Sequence, residues 1–245
     1  MHKQINLQKV SVGIYNRLTG NMHPKFDEPN VVEQRRKMLI KEISPARVVR
    51  IKAQGLDGVV DLTGRKFSRQ WNEIECDGLI THDSSLALVL MPADCIPLVV
   101  YSTQTNLFGL IHVGRKGAAL GIHQKAITYI HETYKEGISN LRFFLGPSIH
   151  QESYFFMNEE IEQLHDPLWR EFISRRNDVY YIDLVGFTMQ GLIGLGVPRE
   201  HITCSEVDTG SDLEYFSHAR SKRSDEPEGR NTVVVFKGEK QKNHE

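Results

Sequence analysis

The apolar residues of this chain fall mainly into short continuous runs rather than strict alternation. Residues 78–81, 86–90, 96–101, 107–112, 141–145 and 232–236 are mainly runs of this kind. They suit strands covered on both faces, where every side chain meets protein. Weaker β-type runs lie at 47–51, 58–62, 180–184 and 202–207. A Gln54-Gly55 turn lies between 47–51 and 58–62, and His82 to Ser85 joins 78–81 to 86–90. Residues 102–106 close a predicted hairpin between 96–101 and 107–112.

Elsewhere the period lengthens. Residues 31–43 predict an amphipathic helix closed before Pro45, since the residue preceding proline is disfavoured in helical geometry. Ile122, Ala126, Ile127, Ile130 and Tyr134 form one stripe, which predicts a helix from about Ala118 to near Gly137. Residues 159–175 and 187–195 also read as helices, with the strand at 180–184 between them. The charged, turn-rich stretch 221–230 reads as a loop, and 239–245 as a frayed tail. Strands and helices mix without a linker, which predicts one α/β domain over residues 1–245.

Charge and cysteine usage narrow the classes. Lys and Arg number 30 against 31 Asp and Glu, so the overall field favours neither nucleic acid nor an anionic membrane. Any anion must be held by a local cluster. Three widely spread cysteines, Cys76, Cys95 and Cys204, make a poor disulfide framework. Without a signal-like apolar segment or a membrane-length run, the expectation is a cytoplasmic protein with free thiols. A homo-oligomer remains open.

Cys95 and His112 are the candidates for chemistry. Each stands at the edge of an apolar run, in Ala93-Asp94-Cys95-Ile96-Pro97 and His112-Val113-Gly114-Arg115-Lys116-Gly117. A thiolate and an imidazole brought together at strand ends can hold a transition metal or form an activated nucleophile. Asp94 lies between apolar segments, where a charge is costly unless paired or used. The glycines after His112 let backbone approach a ligand closely. Bland readings stand beside these. Buried free cysteine is usually inert, and the charges of 217–223 suit a solvated loop. His123 and His131 are expected on the surface of their helix, and Cys76 and Cys204 in the interior without a chemical role.

The order of these motifs is specific. Cys76-Asp77-Gly78-Leu79-Ile80-Thr81, Leu86-Ala87-Leu88, Ala93-Asp94-Cys95-Ile96-Pro97, His112 to Gly117, Gly146-Pro147-Ser148-Ile149 and Tyr215-Phe216-Ser217-His218 to Gly229-Arg230-Asn231 together resemble the laccase-domain family. That family, once named multicopper polyphenol oxidases, is now understood as zinc-dependent purine nucleoside phosphorylases with adenosine deaminase activity. The resemblance implies a layered α/β fold with a mixed β-sheet core flanked by helices, similar to the necrotizing-factor-like cysteine hydrolases. It implies a zinc ion on two histidines and one cysteine, with Cys95 and His112 matching two ligands. Three protein ligands and an open position is the catalytic pattern. Asp94 would orient the site. Arg115 or Lys116, with Arg230, would hold phosphate, Gln54 would also contact substrate, and nucleoside and phosphate would be the partners.

Two departures qualify that expectation. The family's third ligand is a histidine in a Gln-x-His-Gly turn, whereas this chain has Lys52-Ala53-Gln54-Gly55. Gln54 is a poor zinc donor beside imidazole, so zinc would be weak or absent. His82, in a nearby strand-end loop, is the alternative third ligand. Arg115 and Lys116 also replace the family's Trp-Arg. A metal-free Cys–His hydrolase resembling the deamidases, and a nucleoside-binding protein without catalysis, are the alternative functions. Copper oxidation is disfavoured, since one cysteine and scattered histidines cannot build both a blue-copper centre and a three-copper cluster.

Overall fold

Continuous apolar strands need cover on both faces, and the fold supplies it by stacking two sheets between helices. A computed structural model describes residues 1, 3–43, 47–157 and 161–237. In chain order its strands are β1 (Lys3–Asn6), β2 (Ser11–Tyr15), β3 (Arg47–Lys52), β4 (Val59–Asp61), β5 (Trp71–Glu75), β6 (Gly78–Thr81), β7 (Leu86–Leu90), β8 (Ile96–Ser102), β9 (Phe108–Val113), β10 (Leu141–Leu145), β11 (Phe155–Met157), β12 (Ile173–Arg176), β13 (Val179–Ile182), β14 (Ile202–Cys204) and β15 (Thr232–Phe236). The α-helices are α1 (Pro29–Ile43), α2 (Arg115–Ala119), α3 (Ile122–Tyr134), α4 (Leu184–Gly194) and α5 (His218–Ser221).

One mixed sheet has the order β1-β2-β15-β7-β3-β5 and the other β14-β10-β8-β9-β6-β4. The inner faces meet through Val12, Val49, Leu88 and Val235 on one side and Leu79, Val99, Leu110 and Phe144 on the other. Helix α1 covers the outer face of the first sheet with Leu39 and Ile43. Helices α3 and α4 cover the second with Ile122, Ile127, Ile130 and Leu192, joined by the buried Trp169. A three-stranded ribbon, β11-β13-β12, lies outside these layers. The layered α/β arrangement is the one expected, with its β core divided into two stacked sheets.

The predicted β8–β9 hairpin forms, antiparallel with Pro97 opposite His112. Other neighbours in sequence part company. Strands β3 and β4 flank the Gln54-Gly55 turn yet belong to different sheets, as do β6 and β7. A run that is apolar on both faces does not reveal which sheet it joins. The helix expected over 159–175 is replaced by 3-10 turns at Glu162–His165 and Pro167–Phe172 followed by strand β12, because Asp166-Pro167 breaks an α-helix and caps the second turn. The start of that segment, the closure at Pro45 and the tail at 239–245 lie outside the described residues. His123, expected at the surface, is fully buried. It faces Gly191 of α4, where the missing side chain makes room for the ring. Among the described residues no helix is long and apolar enough to cross a membrane.

Candidate active site

The register that seats Pro97 against His112 carries the two chemical residues to one end of the second sheet. Cys95 precedes β8, and His112 is the penultimate residue of β9. The Cys95 sulfur and the His112 ring lie side by side and interact electrostatically. A side-chain carbon built on Gly114 would lie 3.0 Å from Cys95 Sγ and 3.6 Å from His112 Nε2. Glycine at 114 is therefore what lets the thiol reach the imidazole.

Behind the imidazole stands Asp77. His112 Nδ1 lies 2.8 Å from Asp77 Oδ1, which leaves Nε2 free to face the sulfur. The same carboxylate accepts the backbone N–H groups of Gln54, Gly55 and Leu56 at 2.9–3.2 Å. Gly55 takes φ 71°, and this left-handed residue turns the three N–H groups inward. Burial disfavours the Asp77 charge, but His112 and these N–H groups outweigh it and hold the carboxyl below its usual range. Burial also opposes charge on His112, yet the adjacent sulfur and Asp77 raise its pKa above the ordinary histidine value. Asp77 was visible in the sequence only as part of a motif. Its role needs the β6–β9 pairing, which sets Gly78 opposite Ile111.

Asp94 supports the site from behind. Its backbone adopts φ 80°, a left-handed conformation that aspartate tolerates better than most residues. Its buried carboxylate accepts Thr209 Oγ1 at 2.8 Å and Ala219 N–H at 2.6 Å. It thus ties the segment bearing His218 to the turn bearing Cys95, a positioning role rather than contact with reacting atoms.

A cleft of about 590 Å³ opens over Cys95 and His112, within the roughly 300–1,000 Å³ usual for small-molecule sites. Gln54, Arg230, His218, Met91, His23 and Phe26 are among the residues that line it. His23 and Phe26 were not singled out from sequence; the only signal was an aromatic pair in a loop before α1. Burial, then Arg50, Arg230 and Arg36, push the His23 pKa down to about 4, so this ring is neutral at pH 7. Its Nδ1 accepts the Lys25 N–H at 3.2 Å. Charges here are largely answered: Arg50 pairs with Glu73 at 3.0 Å, Lys52 with Glu75 at 2.8 Å and Arg230 with Glu228 at 3.2 Å.

A second cleft, of about 440 Å³, lies beyond His218, which lines both. Arg115, Tyr154, Phe155, Phe156, Lys222 and Arg223 form it. Arg115 and Arg230, expected to share one phosphate, therefore face different clefts. Lys116 is exposed and lines neither. Its neighbour at the start of α2, Arg115, turns inward to Gln163 and the Phe156 ring.

The donor set does not complete the expected three-ligand zinc site. Gln54 is exposed and its amide nitrogen donates to the Lys52 carbonyl at 3.0 Å. His82 lies elsewhere, which corrects its reading as a ligand. Thr81 pairs with Phe108 while Gly78 pairs with Ile111, so His82 follows the opposite end of β6, roughly 13 Å away at strand rise. There it packs edge-on against Tyr134, with ring centroids 4.4 Å apart. Among the described residues no group of three or more His, Cys, Asp or Glu side chains could hold a metal ion.

These features define a four-layer α/β domain with a cysteine–histidine–aspartate array at the floor of a small-molecule cleft. The family model described as multi-copper polyphenol oxidoreductase laccase matches residues 5–237, and the chain belongs to that family. It is 30% identical over 144 residues to a purine nucleoside phosphorylase of Staphylococcus aureus (strain COL), covering 57% of this chain and 52% of that protein. It is 29% identical over 177 residues to a purine nucleoside phosphorylase of Rickettsia conorii, covering 66% and 69%. The match thus spans about half the length of the Staphylococcus relative. In fold it is similar to the Bacillus licheniformis protein YfiH (TM-score 0.79, 22% identity, 94% of this chain and 93% of that one). YlmD from Geobacillus stearothermophilus gives the same TM-score of 0.79 and 22% identity, over 94% and 92%.

Proposed function

We propose that this chain cleaves a purine nucleoside, adenosine or inosine, with phosphate at the cleft over Cys95 and His112. The carrying observation is the convergence of these two side chains on one accessible floor. Family membership and relatives named purine nucleoside phosphorylase support the same reading. A neutral nucleoside suits a cleft whose charges are largely paired and whose lining includes Phe26 and a neutral His23. In the reaction a phosphate oxygen bonds C1′ of the ribose as the C1′–N bond breaks. The bonding pair leaves on the base, and the proton carried by phosphate ends on the base nitrogen.

Cys95 and His112 face the sugar, and Asp77 fixes the tautomer and angle of His112. Zinc would have to bind through Cys95 and His112 alone among the expected ligands, so binding is weak and no step is assigned to it. Incubation with inosine tests the function: base release that requires phosphate and yields ribose 1-phosphate supports it. Release of ammonia from adenosine tests an accompanying deaminase activity.

One observation favours a second reading. A cysteine beside a histidine that is hydrogen-bonded to a buried aspartate is the arrangement used by cysteine hydrolases. A covalent adduct on Cys95 with an amide substrate, and no base release from nucleosides, would select it.

A further inference from the structure

We infer that the second cleft, between α5 and β11, is where the phosphate group of the co-substrate binds. This rests on the phosphorolytic reading but is carried by a separate observation: cations with no carboxylate at ion-pair distance, the charges of Asp94 and Asp208 reaching Arg223 only from farther off. Among the described residues, Arg115, Lys222 and Arg223 make no ion pair, whereas Arg50, Lys52 and Arg230 of the first cleft each do. Lys25, at the rim of the first cleft, is the exception there. A dianion gains most where positive charge is not already neutralised.

The cationic groups are also held in place. Arg223 lies over the Phe155 ring at 3.9 Å and donates to the carbonyls of Ser153 and Ala219, each at 2.9 Å. Arg115 lies over Phe156 at 5.4 Å and is braced by Gln163. Two guanidinium planes fixed by aromatic faces form a ready fork for phosphate oxygens. The cleft adjoins the reaction centre, because His218 forms the partition and Tyr154 interacts with both Arg115 and Cys95. Phosphate would come from one side of His218 and nucleoside from the other. The family motif does not supply Arg223, which lies within the charged loop read from sequence as solvated.

Calorimetric titration of the full chain with inorganic phosphate tests this without any turnover. Arg115→Gln and Arg223→Gln should each weaken binding at least tenfold, Arg223→Lys should restore much of it, and Arg230→Gln should change it less than threefold. A melting curve checks that each variant is folded. Loss of phosphate affinity in Arg230→Gln with Arg115→Gln and Arg223→Gln unaffected would overturn the assignment. Titration with inosine 5′-monophosphate is the second arm: a site that takes the ester and not inorganic phosphate would also overturn it. If phosphate binds as expected yet wild-type protein releases no base from inosine, the nucleoside reading fails and the anion site stands. If base is released with a phosphate KM insensitive to Arg115 and Arg223, the reverse holds.

Discussion

The two clefts on either side of His218 are built from similar side chains and differ in how their charges are answered. Each has arginine and lysine beside aromatic rings. In the first, the Arg50, Lys52 and Arg230 cations meet glutamates, and Arg230 also lies 4.3 Å from the Phe26 ring. In the second, the cations touch rings, carbonyls and an amide, and the carboxylates of Asp94 and Asp208 act on Arg223 only from beyond ion-pair distance. Counting basic residues would treat the two alike. Pairing, rather than residue type, assigns a neutral ligand to one and an anion to the other.

The comparison is broken most severely at the shared floor. Cys95→Ser or His112→Gln should lower phosphate-dependent base release by roughly 10²–10⁴-fold while leaving calorimetric phosphate binding intact. A fall in both would mean the clefts are not separable. Asp77→Asn should act in the same direction. It weakens the grip on His112 and on the 54–56 turn and destabilises the fold by about 2–3 kcal/mol, read from urea midpoints.

A smaller effect concerns His123, which lies outside both clefts and serves as a control. Neither of its ring nitrogens has a partner among the described residues, and burial lowers its pKa to about 4. The folded state thus binds fewer protons than the unfolded chain between about pH 4 and pH 6.5, so this histidine costs stability as pH falls through that window. His123→Leu should remove up to about 3 kcal/mol of acid lability there, seen as flatter melting temperature against pH, with both KM values unchanged. Smaller again, Gln54→His should raise zinc affinity by roughly 10–100-fold without altering phosphate affinity, checked by zinc titration. Thiol alkylation should mark Cys95 and be slowed by inosine, while Cys76, whose burial pushes its pKa up to about 12, reacts slowly.

Much of this was legible in the chain. Long apolar runs gave β7, β8, β9, β10 and β15, and the stripe through Ile122 and Ile130 gave α3, because burial on one or both faces writes itself into local composition. Strand β5, Trp71–Glu75, escaped notice since it is a polar edge strand, and the division into two sheets depends on pairings remote in sequence. At the site, Cys95 and His112 carried the motif, and the register of one hairpin brought them together. His82 misled because closeness in sequence to Gly78 does not say which end of the strand is reached. Asp77 and Arg223 were missed as functional groups for the same reason: one acts through a neighbouring strand, the other is held by the ring of Phe155, far away in sequence.

The most direct measurement is the product analysis of wild-type protein with inosine, with and without inorganic phosphate, beside Cys95→Ser. Hypoxanthine and ribose 1-phosphate in equal amounts, only with phosphate and only with the cysteine, is the predicted result. Base release that ignores phosphate or survives loss of the thiol, or no release at all, would contradict it.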